Sequence, residues 1–278
     1  MIASAPPVLQ AWEFTRLRDV VYREAGIWLS DAKTALVASR LQRRVRELQL
    51  SSFGAYHRLV LRDPQEKQRL IECICTHETS FFREPRQWEF LEQQMFPAWR
   101  AAAARGERRT HLRAWSAGCA TGEEPFSIAM SLLRHFPGWR VEVLATDVSE
   151  RALQSARAAE WPLSRADQLP PSFQKEFMLR GDVNGEGRMR ATPDLREVVR
   201  FARLNLNALE PGEAGAWDLI FCRNVLIYFD AASKKRVLES LQPRLAPGGL
   251  LLLGHAEAIG PTPGLRALMP TLYASEQP

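Results

Sequence analysis

The chain has 278 residues, 46% of them apolar, which is enough for one large domain or two modest ones. Its longest apolar runs are far shorter than a bilayer span, and the opening MIASAPPVLQAWEF has no basic stretch leading into an apolar core. Neither a membrane segment nor a secretory signal is therefore expected, and the expected location is the cytoplasm. The net charge is +5, from 37 Lys and Arg against 32 Asp and Glu, and residues 1–110 hold 18 against 13, so the whole excess lies in the first third. An acidic partner would meet that third. Cys73, Cys75, Cys119 and Cys222 form no CxxC pair and have no histidine cluster beside them, so free thiols and no metal are expected.

The first third reads as helices over 14–25, 33–48, 52–61 and 64–75, with apolar residues at helical spacing. In the second of these, Val37, Leu41, Val45 and Leu48 make one stripe. Arg40, Arg43 and Arg46 fall on the opposite side, and Arg44 flanks the stripe. AAAARGERRT, residues 101–110, reads as a helix end and a polar link.

From residue 111 the pattern changes. LRAWSA, VEVLATD, WDLIFCRN and GGLLLLG are strand candidates, and they alternate with helical segments such as GEEPFSIAMSLLRHF and SERALQSARAA. That alternation predicts an α/β domain with a parallel sheet covered on both faces. Between 162 and 203 it breaks. Pro170-Pro171 and the turn signal Asn184-Gly185 predict a small antiparallel hairpin or three-stranded flap inserted into the sheet domain.

WSAGCATGEEPFS, residues 115–127, reads as a strand end, a glycine loop and a helix start, the arrangement that holds ligands in open α/β sheets. Glutamates 123 and 124 at the helix start would repel a pyrophosphate, and neither a P-loop Lys-Ser/Thr ending nor a full GxGxxG is present. A cationic or hydroxyl-rich ligand suits the loop better. Asp147 ends the second strand, 29 residues after Gly118, where an acidic side chain commonly accepts from ribose hydroxyls. The plainer reading makes Asp147 a helix cap, a role that Ser149 can also fill. A ribose without a phosphate, joined to a positive centre, describes S-adenosylmethionine.

HETSFFRE (77–84), WSAGCATGEEPFSIAM (115–130), ATD (145–147), LNL (204–206), FCRNVLIYFD (221–230) and LAPGGLLLLGHAE (245–257) stand in the order found in CheR-type chemoreceptor methyltransferases, and the sequence resembles that family from about residue 14 to 273. The resemblance implies an all-α N-terminal domain over 1–92 that docks the receptor. It also implies a Rossmann-like methyltransferase domain over 93–278, with a β-subdomain inserted at 163–203. The implied activity is transfer of a methyl group from S-adenosylmethionine to glutamate carboxylates on methyl-accepting chemotaxis receptors, leaving S-adenosylhomocysteine. Carried over by motif, the cofactor site comprises His77, Thr79, Arg83, Glu123, Asp147, Asn205, Leu206, Arg223 and Asn224. Arg83 and Tyr228 are the candidate catalytic residues, and His77 replaces the Asn expected at the first position of its motif. Arg40, Arg43, Arg44 and Arg46 are the candidate docking residues. In some members the β-subdomain binds a peptide at the receptor C-terminus, which places such a contact around 181–187.

Taken singly, these residues have ordinary readings: Phe81 and Phe82 as core, Asn224 and Tyr228 as strand-end and helix-start residues, the basic helix as a solvated face. A nucleic-acid methyltransferase would want aromatics interleaved with its basic residues, or an Asn-Pro-Pro-Tyr-like motif, and neither is present, so no nucleic-acid partner is expected. A non-enzymatic cofactor sensor is the other alternative; methyl transfer separates it from an enzyme. A monomer is expected.

Overall fold

The structure is a computed structural model that describes residues 7–183, 186–209 and 217–276; Asn184 and Gly185, and with them the core of the 181–187 loop, lie outside the described residues. In chain order the elements are α1 (Ala11–Ala25), α2 (Thr34–Glu47), α3 (Phe53–Arg62), α4 (Pro64–Ile74), α5 (Pro85–Phe90), α6 (Phe96–Ala104), β1 (His111–Ala117), α7 (Glu123–His135), β2 (Arg140–Asp147), α8 (Glu150–Ala158), β3 (Glu160–Pro162), α9 (Pro171–Phe177), β4 (Met178–Val183), β5 (Glu186–Ala191), α10 (Pro193–Glu197), β6 (Val199–Arg203), β7 (Trp217–Cys222), α11 (Ala231–Leu241), β8 (Leu245–Leu253), β9 (Leu265–Met269) and β10 (Leu272–Ser275). The contacts divide the chain into two compact units.

The smaller unit is 1–76 together with 205–208 and 228–235. The apolar faces of α1 to α4 supply its core: Leu17, Val21, Leu41, Val45, Phe53, Tyr56 and Leu70 are all buried. Asp63 caps α4 by accepting from the amides of Gln65 and Glu66 at 2.8 and 3.3 Å, and Pro64 at the first helical position needs no acceptor. The stripe on α2 buries Val37, Leu41 and Val45 as its spacing predicts.

The larger unit carries the sheet, ordered β6-β2-β1-β7-β8-β10-β9. From β6 to β8 neighbouring strands are parallel, whereas β10 runs antiparallel to both β8 and β9, so the sheet is mixed. β1 has β2 on one side and β7 on the other, so the crevice beyond their carboxyl ends is the switch point of the fold. The expected flap is a separate three-stranded antiparallel sheet, β3-β5-β4.

Two boundaries differ from expectation. Residues 77–92 were expected to close the helical domain, yet they belong to the sheet unit. The reason is packing: Phe81, Trp88 and Leu91 lie in one buried cluster with Phe126, Leu219 and Phe221, and the Trp88 and Phe221 rings stack at 5.4 Å. The inserted sheet begins at Glu160, before residue 163. Residues 199–203, expected inside the insertion, instead form the edge strand β6 paired along β2.

Candidate active site

Gly118 to Gly122 turn the chain from β1 into α7. Gly118 has φ +99°, and a Cβ there would lie 2.3 Å from Val225 Cγ2, so no other residue fits without displacing the segment after β7. The loop is tied to the end of β2. The amides of Gly118 and Cys119 both donate to the Thr146 carbonyl, at 2.8 and 2.9 Å. Asp147 accepts from Ala120 N at Oδ2 and from Ser149 N at Oδ1, each at 2.9 Å. Ser149, not Asp147, caps α8, accepting from Ala152 N at 3.1 Å. The Asp147 carboxylate therefore fixes the loop and retains lone pairs for hydroxyl donors.

The two glutamates at the start of α7 have different fates. Glu123 is buried and accepts from Thr121 Oγ1 at 2.7 Å. Glu124 is ion-paired with Arg223, Nε to Oε2 at 2.8 Å, and accepts from Ser116 Oγ at 2.7 Å. The side chains of this pair are 10% and 1% exposed, respectively. Arg223 further donates to Arg83 O at 2.6 Å and Gln87 Oε1 at 3.2 Å, and its guanidinium lies 5.5 Å from the centre of the Phe221 ring. Gln87 in turn donates to Leu253 O and Thr271 Oγ1 at 2.8 and 2.9 Å. Arg223 thus neutralises one of the two loop carboxylates and joins β7 to α7 and to the 83–87 segment. Among the described residues, Glu123 is the one of the two without a cationic partner.

The segment before α5 approaches the same loop. Phe82 N donates to Ser127 Oγ at 3.0 Å, and Ser127 Oγ donates to Glu123 O at 2.7 Å. Arg83 is half-buried and donates to Glu78 O at 3.2 Å, and the Thr79 carbonyl accepts from Arg165 at 3.2 Å. Among the described residues, His77 Nε2 is buried without a hydrogen-bond partner. After β7, Asn224 has φ +60°. Its N–H, with those of Ile227 and Gly254, donates to the buried carboxylate of Glu257 at 2.7, 3.0 and 2.7 Å. Phe82, Glu84, Ala120 and Asn224 all have positive φ without being glycine, a concentration of backbone strain typical of functional sites.

His77, Thr79, Arg83, Glu123, Asp147, Arg223 and Asn224 all lie in the sheet unit. The other three predicted residues fall in the smaller unit. Asn205 there donates to Glu24 O and accepts from Asn207 N, both at 2.9 Å, so both ends of its amide are engaged; Leu206 is buried. Tyr228 is half-buried and its carbonyl accepts from Trp28 N at 2.7 Å.

The four docking arginines are not alike. Arg40 donates to Ile74 O and to Thr76 Oγ1, and Arg44 holds the buried Glu66 through two bonds at 2.9 and 2.5 Å. Both are tied to α4 or to the residues just after it. Arg43 pairs with the exposed Glu47 at 2.8 Å and Arg46 is exposed, so these two face solvent. Sequence reasoning did not single out Ser116, Gln87 or Glu257; the GHAE stretch was the one signal pointing to the last.

S-adenosylmethionine fits these residues. The amides of Gly118, Cys119 and Ala120 are already engaged by Thr146 O and Asp147. The site offers carboxylates at Glu123 and Asp147 and an unmatched polar atom at His77, which suit ribose hydroxyls and a positive charge. The thiols near it are inert: burial, then the neighbouring carboxylates Asp147 and Glu124, pushes Cys119 well up, and burial does the same to Cys222. Among the described residues no helix is long and apolar enough to cross a membrane.

The CheR methyltransferase SAM-binding domain model matches residues 77–272, and the CheR methyltransferase all-alpha domain model matches 12–75. The chain is 39% identical over 249 residues to chemotaxis protein methyltransferase 2 of Pseudomonas aeruginosa, covering 88% of this chain and 86% of that one. It is 39% identical over 250 residues to the chemotaxis protein methyltransferase of Escherichia coli, covering 88% and 83%. With chemotaxis protein methyltransferase 1 of P. aeruginosa the figure is 33% over 261 residues, covering 90% and 92%.

Proposed function

From the membership of this chain in the CheR methyltransferase family, an S-adenosylmethionine-dependent group, we infer that it methylates glutamate side chains on the cytoplasmic helices of chemoreceptors. The observation that carries this reading is the glycine loop, in which the Gly118, Cys119 and Ala120 amides are engaged while the Glu123 and Asp147 carboxylates can still accept, in a chain whose residues 12–75 and 77–272 are matched by the two family models.

When bound, S-adenosylmethionine supplies a methyl group on a positively charged sulfur. The acceptor glutamate, with a reference pKa of about 4.3, is already ionised at neutral pH and needs no general base. A glutamate carboxylate held in line with that methyl group would become the methyl ester, with the C–S electron pair left on sulfur in S-adenosylhomocysteine. The protein's contribution is alignment and exclusion of water. Asp147 accepts from the ribose, and Glu123 and His77 complete the cofactor's polar contacts with Thr79 and Asn224. Arg83 supplies positive charge and Tyr228 a hydroxyl donor for the attacking carboxylate. Arg223 acts through Glu124, Arg83 and Gln87 by holding the loops in register.

Docking falls on the solvent-facing Arg43 and Arg46 of α2. Glutamate-rich receptor helices complement them, whereas Arg40 and Arg44 keep α2 on α4. The protein acts as a cytoplasmic monomer on receptors, and the 181–187 loop is where a receptor tail peptide would bind.

The test is transfer of labelled methyl from S-adenosylmethionine to receptor-containing membranes. Label released as methanol by mild base is the expected result. Base-stable label, or none across a panel of receptors despite S-adenosylhomocysteine binding, would reject the reading.

A further inference from the structure

The carboxylate of Glu257 has no chemistry in the reaction, yet it is buried and accepts three backbone N–H bonds. Two of the donors, Asn224 and Ile227, lie in the segment that follows β7; the third, Gly254, directly follows β8. The two strand ends are thereby locked to one side chain. Gly254 belongs to the same device: a Cβ there would lie 2.7 Å from both Glu257 Oε2 and Asn224 Nδ2, so only glycine lets the carboxylate in. The segment after β7 needs such a clamp. Asn224 holds φ +60°, a sparsely populated conformation, and three backbone N–H groups that converge on one point favour an anion there. Converging amides of this kind can bind an anionic ligand; here Glu257 fills that position.

We propose that Glu257 is a positioning residue for methyl transfer. It sets Asn224 through Oε2 and the start of the Ile227-Tyr228 step through Oε1. The proposal rests on the reading above, in which Asn224 contacts cofactor and Tyr228 addresses the acceptor.

The two oxygens have different loads, which makes the proposal separable. Oε2 accepts from Asn224 and Gly254, Oε1 from Ile227 alone. In Glu257→Gln the amide oxygen takes the place with two donors, and the NH₂ group meets Ile227 N–H as donor against donor. Asn224 then stays held and Ile227 is released. Glu257→Ala releases both.

The experiment uses the full-length protein, titrated with S-adenosylhomocysteine, assayed for methyl transfer and followed by residue-resolved amide exchange. Glu257→Gln should bind S-adenosylhomocysteine within about threefold of wild type, exchange faster at Ile227 but not at Asn224 or Gly254, and lose about tenfold in kcat, the scale of one lost charge-assisted bond. Glu257→Ala should lose about tenfold in affinity as well. If that variant does not fold, the glutamine variant decides alone. Wild-type exchange at Ile227, or wild-type kcat, in Glu257→Gln would overturn the proposal, as would equal loss of affinity in both variants. Should the wild type give no receptor methyl ester, the functional reading fails, and the exchange and titration data still judge the clamp.

Discussion

Glu124→Gln is isosteric, keeps one acceptor oxygen for Ser116 or Arg223, and removes the charge and the second acceptor. Arg223, whose side chain is 1% exposed, would keep the neutral acceptors Arg83 O and Gln87 Oε1 and the Phe221 ring face, but no anion. Removing one member of a buried pair costs about 3–5 kcal/mol, and the remaining neutral acceptors place this case near about 3 kcal/mol. For a protein of this size that lowers Tm by about 6–12 °C. Removing both charges, Glu124→Leu with Arg223→Met, leaves the Ser116 hydroxyl and Gln87 Oε1 unpaired but keeps Trp88 Nε1 on Arg83 O. The double variant should therefore sit only about 1–2 kcal/mol below wild type. Urea titration of wild type, Glu124→Leu, Arg223→Met and their double gives the cycle, with Glu124→Gln measured beside it. A loss below about 1 kcal/mol in Glu124→Gln, or a double variant less stable than either single, would refute the assignment of Arg223 to a structural charge network.

Asp147→Asn should weaken S-adenosylhomocysteine binding by about tenfold in calorimetry, since the amide keeps one acceptor oxygen where two serve the loop and α8; unchanged affinity would remove Asp147 from the site. Reversing Arg43 and Arg46 to Glu should raise the KM for receptor membranes and flatten its salt dependence while leaving S-adenosylhomocysteine affinity unchanged, whereas Arg44→Glu should chiefly destabilise the helical unit by stranding buried Glu66. Burial holds the His57 imidazole below its usual range, with Arg16, Arg23 and Arg58 adding to the effect. The unfolded chain therefore takes up that proton near pH 6.5 while the folded chain resists, and stability should fall as pH drops below about 6.5. His57→Gln should flatten that slope in pH-dependent urea melts.

The layered architecture was legible because strand-helix alternation and the glycine loop are local patterns. β6 and the β9-β10 hairpin were not, because VRFAR and LRALM carry arginines on short edge segments whose pairing is set by distant partners. The loop itself was legible, but its electrostatics were only half so. Two adjacent glutamates read as a doubled negative charge, and the arginine that cancels one of them lies 99 residues away in sequence. The arginines of α2 show the same limit: helical periodicity gives the side each one faces, while Glu66 on another helix removes Arg44 from the solvent-facing set.

The glycine loop also bounds how this fold can be redesigned. In a dinucleotide-binding relative of such a loop, backbone amides are the recognition element. Here those of Gly118, Cys119 and Ala120 already serve Thr146 and Asp147. Exchanging Glu123 for a lysine would change the charge of the crevice without freeing one of these donors. Converting the scaffold to bind a nucleotide diphosphate would first require a new termination for β2, so ligand specificity is written into the neighbouring strand as much as into the loop.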